Sequence, residues 1–361
     1  MARLTRAQAQ ERNRAKVLAA ARAEFAERGF RDAKVDAIAE RAELTRGAVY
    51  SNFPGKRALY FAVLADLAEN ASRPPGARPG ATAKDSVASF ARAWVSRLDE
   101  PPLGRDLLPE VMADERLRAA FTQLMRLDAV LLSLAWEALE PPPSPPGAPP
   151  VRLVRAAGAV LTTLQGATQL AAAAPGFAEP FDVISACERL TTLELNDFWA
   201  PPPLREPSRA DEPWPAAERV DAVTGEPVRV DGVIAVLGPH RLAAVEEAVR
   251  AGAEVTAVLV ADEPAEFLPL ARWAVAETAH CLRQAFPRTA WPRLRVVFDD
   301  DGRLAAAAGV MPGDDTETAF LAVGGRIVAR ADGASACDAV ATEASGLLRS
   351  GHGRAARDLR G

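Results

Sequence analysis

Apolar residues recur at three- and four-residue steps over the first two hundred positions of the chain. This is the spacing of one face of an amphipathic helix, and glycine and proline fall mainly between the periodic segments. The pattern therefore predicts an all-α region. The predicted helices span residues 6–28, 35–42, 45–51, 56–70, 82–98, 105–113, 114–139, 151–173 and 180–198.

The pattern changes after residue 220, where short runs of β-branched and apolar residues appear. Helical stretches separate the first of these runs, and Gly324-Gly325 between the last two favours a tight hairpin turn. The predicted strands span residues 233–237, 255–260, 294–298, 319–323 and 326–330. Strands that alternate with helices and end in a hairpin predict an α/β sandwich.

Two proline-rich segments divide the chain. Seven of the ten residues over 141–150 are proline, which predicts an extended loop between helices, and a second cluster over 201–215 predicts an interdomain linker. The predicted fold class is therefore multidomain, with all-α domains followed by an α/β domain. The predicted boundaries are 1–60 for a head, 61–200 for a helical body, 201–220 for the linker, 221–350 for the α/β domain and 351–361 for a flexible tail.

Composition adds an asymmetry of charge and argues against several classes of protein. The first 60 residues hold 13 Lys/Arg against 7 Asp/Glu, although the whole chain has a formal net charge of −5. Cys187, Cys281 and Cys337 are odd in number and far apart, which argues against a disulfide framework and a zinc site and favours the cytosol. No signal-peptide pattern opens the chain, and polar residues interrupt its longest apolar stretch, 153–174, which we expect to be a buried helix.

The head has the pattern of a helix-turn-helix. Its first helix carries Val17 and Phe25 on one apolar stripe and reaches Gly29, where a left-handed residue can end a helix. Thr45 can cap the third helix, on which Val49 points to the core. A supporting helix, a short turn and a second helix form the arrangement that places a helix in the DNA major groove.

At this point the sequence resembles the amino-terminal domain of the TetR/AcrR transcriptional regulators. The resemblance extends over residues 12–64 and includes positions outside the third helix. It rests on Gly29-Phe30, Val35-Asp36-Ala37-Ile38-Ala39, Leu44-Thr45-Arg46-Gly47-Ala48-Val49-Tyr50, Asn52-Phe53-Pro54, Lys56 and Leu59. It implies a dimeric, repressor-type DNA-binding protein with a helical ligand-binding and dimerisation domain behind the head.

The resemblance also implies which residues contact DNA. Thr45, Arg46 and Gly47 would face bases or nearby phosphates, while Tyr50 and Lys56 would reach phosphates; arginine can bind guanine through two hydrogen bonds. Arg3, Arg6, Arg12 and Arg14 would add attraction that is independent of DNA sequence. The full predicted DNA-binding set is Thr45, Arg46, Gly47, Ala48, Tyr50, Ser51 and Lys56.

Two positions depart from the family pattern. Glu43 stands where the family usually has glycine, so we expect a helical rather than a left-handed conformation there. Ala33-Lys34 replaces the family's threonine cap before the second helix, which leaves Asp32 as the expected substitute cap.

The helical body is expected to enclose a cavity for an apolar or drug-like effector, with Leu131 and Leu161 near its wall. The predicted effector-binding residues are Trp94, Phe121, Leu124, Met125, Trp136 and Leu164. No cluster of His, Cys or paired carboxylates indicates a metal, a cofactor or acid-base catalysis there. By the resemblance, helices 151–173 and 180–198 would pair with their copies in a homodimer, and a two-fold dimer matches a palindromic operator.

The segment 230–348 resembles a thioredoxin-like fold in the order of its elements. Redox chemistry in that fold requires a low-pKa thiolate where a helix follows the first strand, but the sequence there is Gly238-Pro239-His240-Arg241. Cys281 and Cys337 fall within predicted helices and are expected to be inert. The α/β domain is therefore predicted to lack redox activity.

Together these features predict a cytoplasmic, homodimeric TetR-type regulator, a repressor that binds a palindromic operator and responds to a small-molecule effector, and that is not an enzyme. Two alternatives remain open at this stage. One is a thiol oxidoreductase or peroxidase fused to a DNA-binding head, and the other is a scaffold that recruits a protein partner through its carboxyl-terminal domain.

Overall fold

A computed structural model describes residues 5–72, 78–98, 103–143, 151–197, 199–215 and 217–358. Arg3, Phe198 and most of the proline-rich run 141–150 lie outside these residues. The helices before residue 200 are α1 Arg6–Asp32, α2 Val35–Arg41, α3 Arg46–Asn52, α4 Lys56–Glu69, α5 Ala83–Val95, α6 Leu107–Met112, α7 Glu115–Leu139, α8 Val154–Ala173 and α9 Pro180–Leu190. Each of the nine predicted helices is present, and a 3₁₀ turn, Leu103–Asp106, precedes α6.

Local signals explain where several helices begin. Thr5 and Gln8 form a reciprocal capping box at the start of α1, and the Asp114 carboxylate accepts a hydrogen bond from the Leu117 amide at the start of α7. Gly29 has φ of +72°, as expected of a residue that interrupts a helix, although a further turn continues to Asp32. The positive φ that the sequence predicts at Gly29 is therefore confirmed.

Helix α9 is shorter than predicted because it ends at Leu190 rather than near residue 198. The hydroxyls of Thr191 and Thr192 donate to the carbonyls of Glu188 and Arg189, which satisfies groups at the helix end. The following segment then carries Asp197 to Arg250, with which it forms an ion pair at 2.6 Å, and to the backbone amide of Arg152, from which it accepts a hydrogen bond at 2.8 Å. These contacts of Asp197 thus replace the helical turns that the apolar periodicity predicted.

The region after residue 200 contains a mixed six-stranded sheet in the order β1-β8-β7-β4-β5-β6 and a two-stranded ribbon, β2-β3. Strands β4, β5 and β6 are parallel, whereas β7 and β8 are antiparallel to their neighbours. The strands are β1 Ser208–Pro213, β2 Glu218–Val220, β3 Pro227–Arg229, β4 Gly232–Leu237, β5 Val255–Leu259, β6 Arg295–Phe298, β7 Glu317–Val323 and β8 Arg326–Asp332. The intervening helices are α10 Val245–Arg250, α11 Pro264–Ala285, α12 Arg303–Ala307 and α13 Ala336–Asp358.

All five predicted strands are confirmed, and so is the hairpin, where Gly324 and Gly325 both have positive φ. Strand β1 was not predicted, since it lies in the segment that sequence alone favours as a linker. It occupies the edge of the sheet, where a proline costs no ladder hydrogen bond. Trp214 follows it and is buried against Phe320, with its indole nitrogen donating to the Val230 carbonyl at 2.8 Å.

Helix α11 packs against α4, α5 and α7, so the α/β region is joined to the helical region over a wide surface. Arg57 of α4 pairs with Glu266 of α11, and Arg97 beyond α5 pairs with Glu277 at 2.6 Å. One continuous apolar core contains side chains from the head, the helical body and the sheet. The carboxyl-terminal region is therefore part of the molecule's main core rather than a tethered appendage.

Candidate functional site

The third helix of the head presents one face to the protein and the other to solvent. Val49 is 1% exposed and packs in the core, whereas Thr45, Arg46, Gly47 and Tyr50 are exposed. This division follows from the helical period, which places residues three and four apart on the same face. The helix that the sequence predicts to enter DNA is therefore open to a partner along its outer side.

Thr45 caps α3 and remains available for a second contact. Its hydroxyl oxygen accepts a hydrogen bond from the Ala48 amide at 3.2 Å, and its hydroxyl hydrogen can still be donated outward. Ser51 is exposed and donates to the Ala48 carbonyl at 2.9 Å. A Cβ added to Gly47 would have only the Thr45 hydroxyl nearby, at 3.9 Å, so the surface there is open.

Arg46 is held along the outer face by two partners. Its guanidinium lies 3.3 Å from the Asp36 carboxylate of α2 and 3.5 Å from the Tyr50 hydroxyl, and its carbon lies 5.5 Å from the Tyr50 ring centre. The hydrogen bond with Tyr50 and the charge of Asp36 both raise the pKa of Arg46. The sequence alone gives no sign of this contact, through which Asp36 helps to orient Arg46.

Lys56 has a structural role that the sequence did not indicate. Its ammonium group donates to the carbonyls of Phe30, Arg31 and Ala33 at 2.8, 3.0 and 3.2 Å, and it lies 4.6 Å from the Phe30 ring centre. Each of its three N–H donors therefore has an acceptor within the protein. The predicted phosphate contact would require one of these bonds to be exchanged.

Two expectations about the turns of the head are wrong. Glu43 has φ of +56°, so it adopts the left-handed conformation rather than a helical one, because the Leu44 amide reaches back to the Ala39 carbonyl at 2.9 Å. Asp32 does not cap α2, since it belongs to the end of α1 and the N-cap of α2 is Lys34, which makes no side-chain capping bond.

Of the flanking basic residues, Arg12 is exposed on α1 and Arg14 lies over the Phe53 ring at 4.5 Å from its centre. Arg6 begins α1. Arg14 thus helps to hold the end of α3 against α1, in addition to contributing charge.

A second candidate site is an open cleft of about 980 Å³ between the helical body and the α/β region. Helices α7 and α8 form one wall, and the segment from Arg241 through α10 forms the other. Of the predicted effector-binding residues, Phe121 and Met125 line this cleft, and Leu161 does so as well.

The other four predicted effector-binding residues lie in packed cores instead. Leu124 and Leu164 are fully buried, Trp136 is buried, and Trp94 donates from its indole nitrogen to the Thr168 hydroxyl at 3.0 Å. Leu131, which the sequence predicts near the wall of the cavity, is also fully buried. Apolar helical periodicity cannot distinguish a core position from a cavity wall, which is why core residues are among those predicted. The polar residues of the cleft could not be predicted either, because they come largely from elements that are distant in sequence.

The junction that follows β4 is tightly packed. A Cβ on Gly238 would lie 2.0 Å from the Gly313 carbonyl oxygen, and His240 is hydrogen-bonded through its backbone to Asp314. Arg116 of α7 pairs with Asp314, so the helical body covers this end of the sheet. Among the described residues, no group of three or more His, Cys, Asp or Glu side chains is placed to hold a metal ion.

All three cysteines are buried, and burial raises the pKa of each thiol. For Cys187 the value is about 12. Thiols in this state are weak nucleophiles, because the reactive species is the thiolate.

Large apolar side chains are exposed around the end of α8 and the start of α9. Phe177 is 71% exposed, Phe181 is 76% exposed and Leu170 is 40% exposed. Exposed apolar groups that cluster in this way are typical of a surface that a partner covers. In the described part of the chain, no helix combines the length and apolarity needed to cross a membrane.

Comparisons with known proteins agree with the geometry of the head. The sequence model of the family described as "Bacterial regulatory proteins, tetR family" matches residues 17–63. Two curated relatives from Pseudomonas putida are each 48% identical to the chain over 65 residues, namely the HTH-type transcriptional regulator SrpR and an uncharacterized HTH-type transcriptional regulator, TtgW. The shared segment is 18% of this chain, 30% of SrpR and 48% of TtgW, so less than half of either relative is matched.

A crystal structure of a TetR transcriptional regulator from Rhodococcus sp. RHA1 aligns with 50% of this chain and 93% of its own, at 18% identity and a TM-score of 0.33. A score this low defines no shared architecture for the body. Residues 17–63 therefore form a TetR-type helix-turn-helix domain, and the chain is related to transcriptional regulators of that type through this domain.

Proposed function

We propose that this protein is a cytoplasmic transcriptional repressor of the TetR type that binds a palindromic DNA operator as a homodimer. The observation that carries the proposal is the outer face of α3, where Thr45, Arg46 and Tyr50 are exposed on a TetR-type domain. Arginine and hydroxyl groups on an open helix are suited to base edges and phosphates in the major groove.

The proposed dimer forms through α8 and α9. The exposed side chains of Leu170, Phe177 and Phe181 supply the apolar surface for it. A two-fold axis through this surface would relate two copies of α3, and this symmetry is what matches a palindromic operator.

The proposed regulation is by a small-molecule effector that binds the helical body and changes the position of the two heads. An effector shifts operator affinity only as far as it binds one state more tightly than the other. Helix α4 leads from the head into the body and is buried over residues 58–65, so its position depends on the packing around it.

The carboxyl-terminal domain is proposed to be thioredoxin-like and without redox activity. The parallel pair β4 and β5 joined through α10, followed by the antiparallel β7 and β8 and then α13, supports this assignment. The strand β6 and helix α12 lie between the two halves of this pattern. Burial and raised pKa values of Cys281 and Cys337 give no support to a thiol enzyme.

The test is selection of DNA bound by the full chain from a random pool, followed by affinity measurements on the selected sequence. Arg46→Ala and Tyr50→Ala are each expected to weaken binding about tenfold or more, because a good base or phosphate contact contributes on the order of 1–3 kcal/mol. Arg92→Ala is the matched control, since Arg92 is an exposed arginine on α5. Equal affinity in all three variants, or no enriched sequence, would contradict the proposal.

A further inference from the structure

The cleft described above has walls from two parts of the chain. Phe121, Met125 and Arg126 come from α7, and Arg155 comes from α8, whereas Glu247 comes from α10 of the α/β domain. Neither region alone encloses the space. A ligand in this cleft would therefore contact the helical body and the α/β domain at the same time.

Most charges around the α/β wall are already compensated. Arg250 lies 2.6 Å from Asp197 and 2.8 Å from Glu246, and Arg241 donates from Nε to Glu317 at 2.9 Å. These pairs hold the wall together and need no ligand.

The wall from the helical body carries uncompensated positive charge. Among the described residues, neither Arg126 nor Arg155 forms an ion pair with a carboxylate, and Arg155 makes a hydrogen bond only to the Asn196 carbonyl. Both are exposed. An anionic group would be attracted to this end of the cleft, and a planar guanidinium binds such groups through two hydrogen bonds.

The wall from the α/β domain carries a carboxyl group, that of Glu247, with one oxygen that has no donor among the described residues. Oxygen Oε2 of Glu247 is buried and has no hydrogen-bond partner in the described part of the chain. Burial and the nearby carboxylate of Glu317 raise the pKa of Glu247 to about 7, against the opposing effect of Arg241. Glu247 is half-buried and lines the cleft, so a small turn of its side chain would let the carboxyl group accept a hydrogen bond from a ligand hydroxyl or N–H.

Apolar and aromatic groups, including Phe121, Met125 and Trp199, also line the cleft. A volume of about 980 Å³ suits a drug-sized ligand. Building on the function proposed above, we propose that this interdomain cleft is the effector site and that its ligand is an aromatic amphiphile with an anionic group facing Arg126 and Arg155 and a hydrogen-bond donor facing Glu247.

The α/β domain is thereby the second wall of the sensor. Because α11 of the same domain packs against α4, a ligand that draws the two walls together acts on the helix that leads from the head. The effector site and the DNA-binding helix are thus connected through packed elements.

The experiment uses three probes on the full chain: a hydroxynaphthalenesulfonate, the same naphthalenesulfonate without the hydroxyl group, and the naphthol without the sulfonate. Affinities are measured by calorimetry. The first probe is expected to bind about tenfold more tightly than either of the others. The probe without the hydroxyl group loses the hydrogen bond to Glu247, and the probe without the sulfonate loses the ion pair with Arg126 and Arg155.

Variants show which residues of the cleft contact the hydroxyl group of the probe and which contact its sulfonate. Glu247→Leu should abolish the preference for the hydroxyl group, and Arg126→Met with Arg155→Met should abolish the preference for the sulfonate, while Glu343→Leu and Arg92→Met leave both preferences unchanged. Arg126 and Arg155 are exposed, so their replacement tests the proposal even if Glu247→Leu fails to fold.

Equal binding of the three probes, or binding that none of the cleft variants alters, overturns the proposed site. Probe affinity that falls as protein concentration rises would show that a second copy of the chain occupies the cleft, which also overturns it. Operator binding without a probe is measured on the same variants and is expected to be unchanged, so failure of the cleft is distinguishable from failure of the DNA-binding function.

Discussion

At the scale of single residues, the outer face of α3 is open at one small residue and carries an arginine that its neighbours hold in place. Gly47 leaves open space beside Thr45, and Arg46 lies between Asp36 and Tyr50. The sequence indicates which residue types stand on this face. Asp36, which pairs with Arg46, and the carbonyl groups that hold Lys56 come from other parts of the head, and under the proposed function they decide how freely each cation can reach DNA.

Gly47→Ala should separate folding from DNA binding. The structure has room for the added methyl group, and alanine is favoured over glycine in a helix, so the free energy of unfolding should rise by up to about 1 kcal/mol. Operator affinity should fall severalfold, because the methyl group would stand between α3 and the bases. Urea unfolding and DNA titration measure the two effects, and a variant with unchanged operator affinity would show that Gly47 does not lie against DNA.

Glu43→Gly should stabilise the head. The left-handed backbone at Glu43 costs a non-glycine residue on the order of 1 kcal/mol, and the exposed Lys16 to Glu43 ion pair that is lost contributes only a few tenths. A higher urea midpoint is expected. Glu40→Gly, in the helical backbone of α2, is the matched control and should lower the midpoint.

At the scale of elements, the contact between α4 and α11 joins the amino- and carboxyl-terminal regions. Residues 58–65 of α4 are apolar on all sides, a pattern that indicates burial on all sides, and all eight are buried. The sequence alone shows this apolarity but not which element covers it. The packing of α11 along α4 and the ion pair of Arg57 with Glu266 identify α11 as that element.

Leu270→Ala should therefore destabilise the head as well as the α/β domain. Leu270 is fully buried on α11, one turn from both Glu266 and Trp273, and loss of such a side chain costs about 2–5 kcal/mol. Both tyrosines lie at or near the head, at positions 50 and 60, and every tryptophan lies beyond it, so tyrosine and tryptophan signals report separate regions. The urea unfolding transitions followed by the tyrosine signal and by the tryptophan signal should shift together. A shift of the tryptophan transition alone would show that the α/β domain unfolds independently.

At the scale of the whole molecule, two carboxyls at the boundary between helical body and α/β domain link stability to pH. Burial raises the pKa of Asp128 on α7 well above its ordinary value and that of Glu247 on α10 to about 7. Both groups hold a proton more tightly in the folded state than in the unfolded chain. Stability is then lost as pH rises above the unfolded pKa values, and for Glu247 the loss is complete above its folded value.

Glu247→Gln should reduce this pH dependence. The free energy of unfolding of the native protein, relative to that of the variant, is expected to fall between pH 4.5 and about 7. Above that range the difference between the two proteins should stay constant. Urea midpoints of both proteins at several pH values measure the difference. A difference that does not change with pH would show that Glu247 titrates alike in the folded and unfolded chains.

The sequence by itself determined the nine predicted helices before residue 200, five strands of the larger sheet and the identity of the head, because helix period, strand runs, caps and the Gly324-Gly325 turn are local properties of a few neighbouring residues. It also located the exposed face of α3, since Val49 fixes which side is buried. Only the tertiary structure placed α11 against α4, paired Asp197 with Arg250 and formed the cleft beside Glu247. These contacts join residues that are far apart in the chain, and shape and charge complementarity between folded surfaces, rather than local periodicity, decides them.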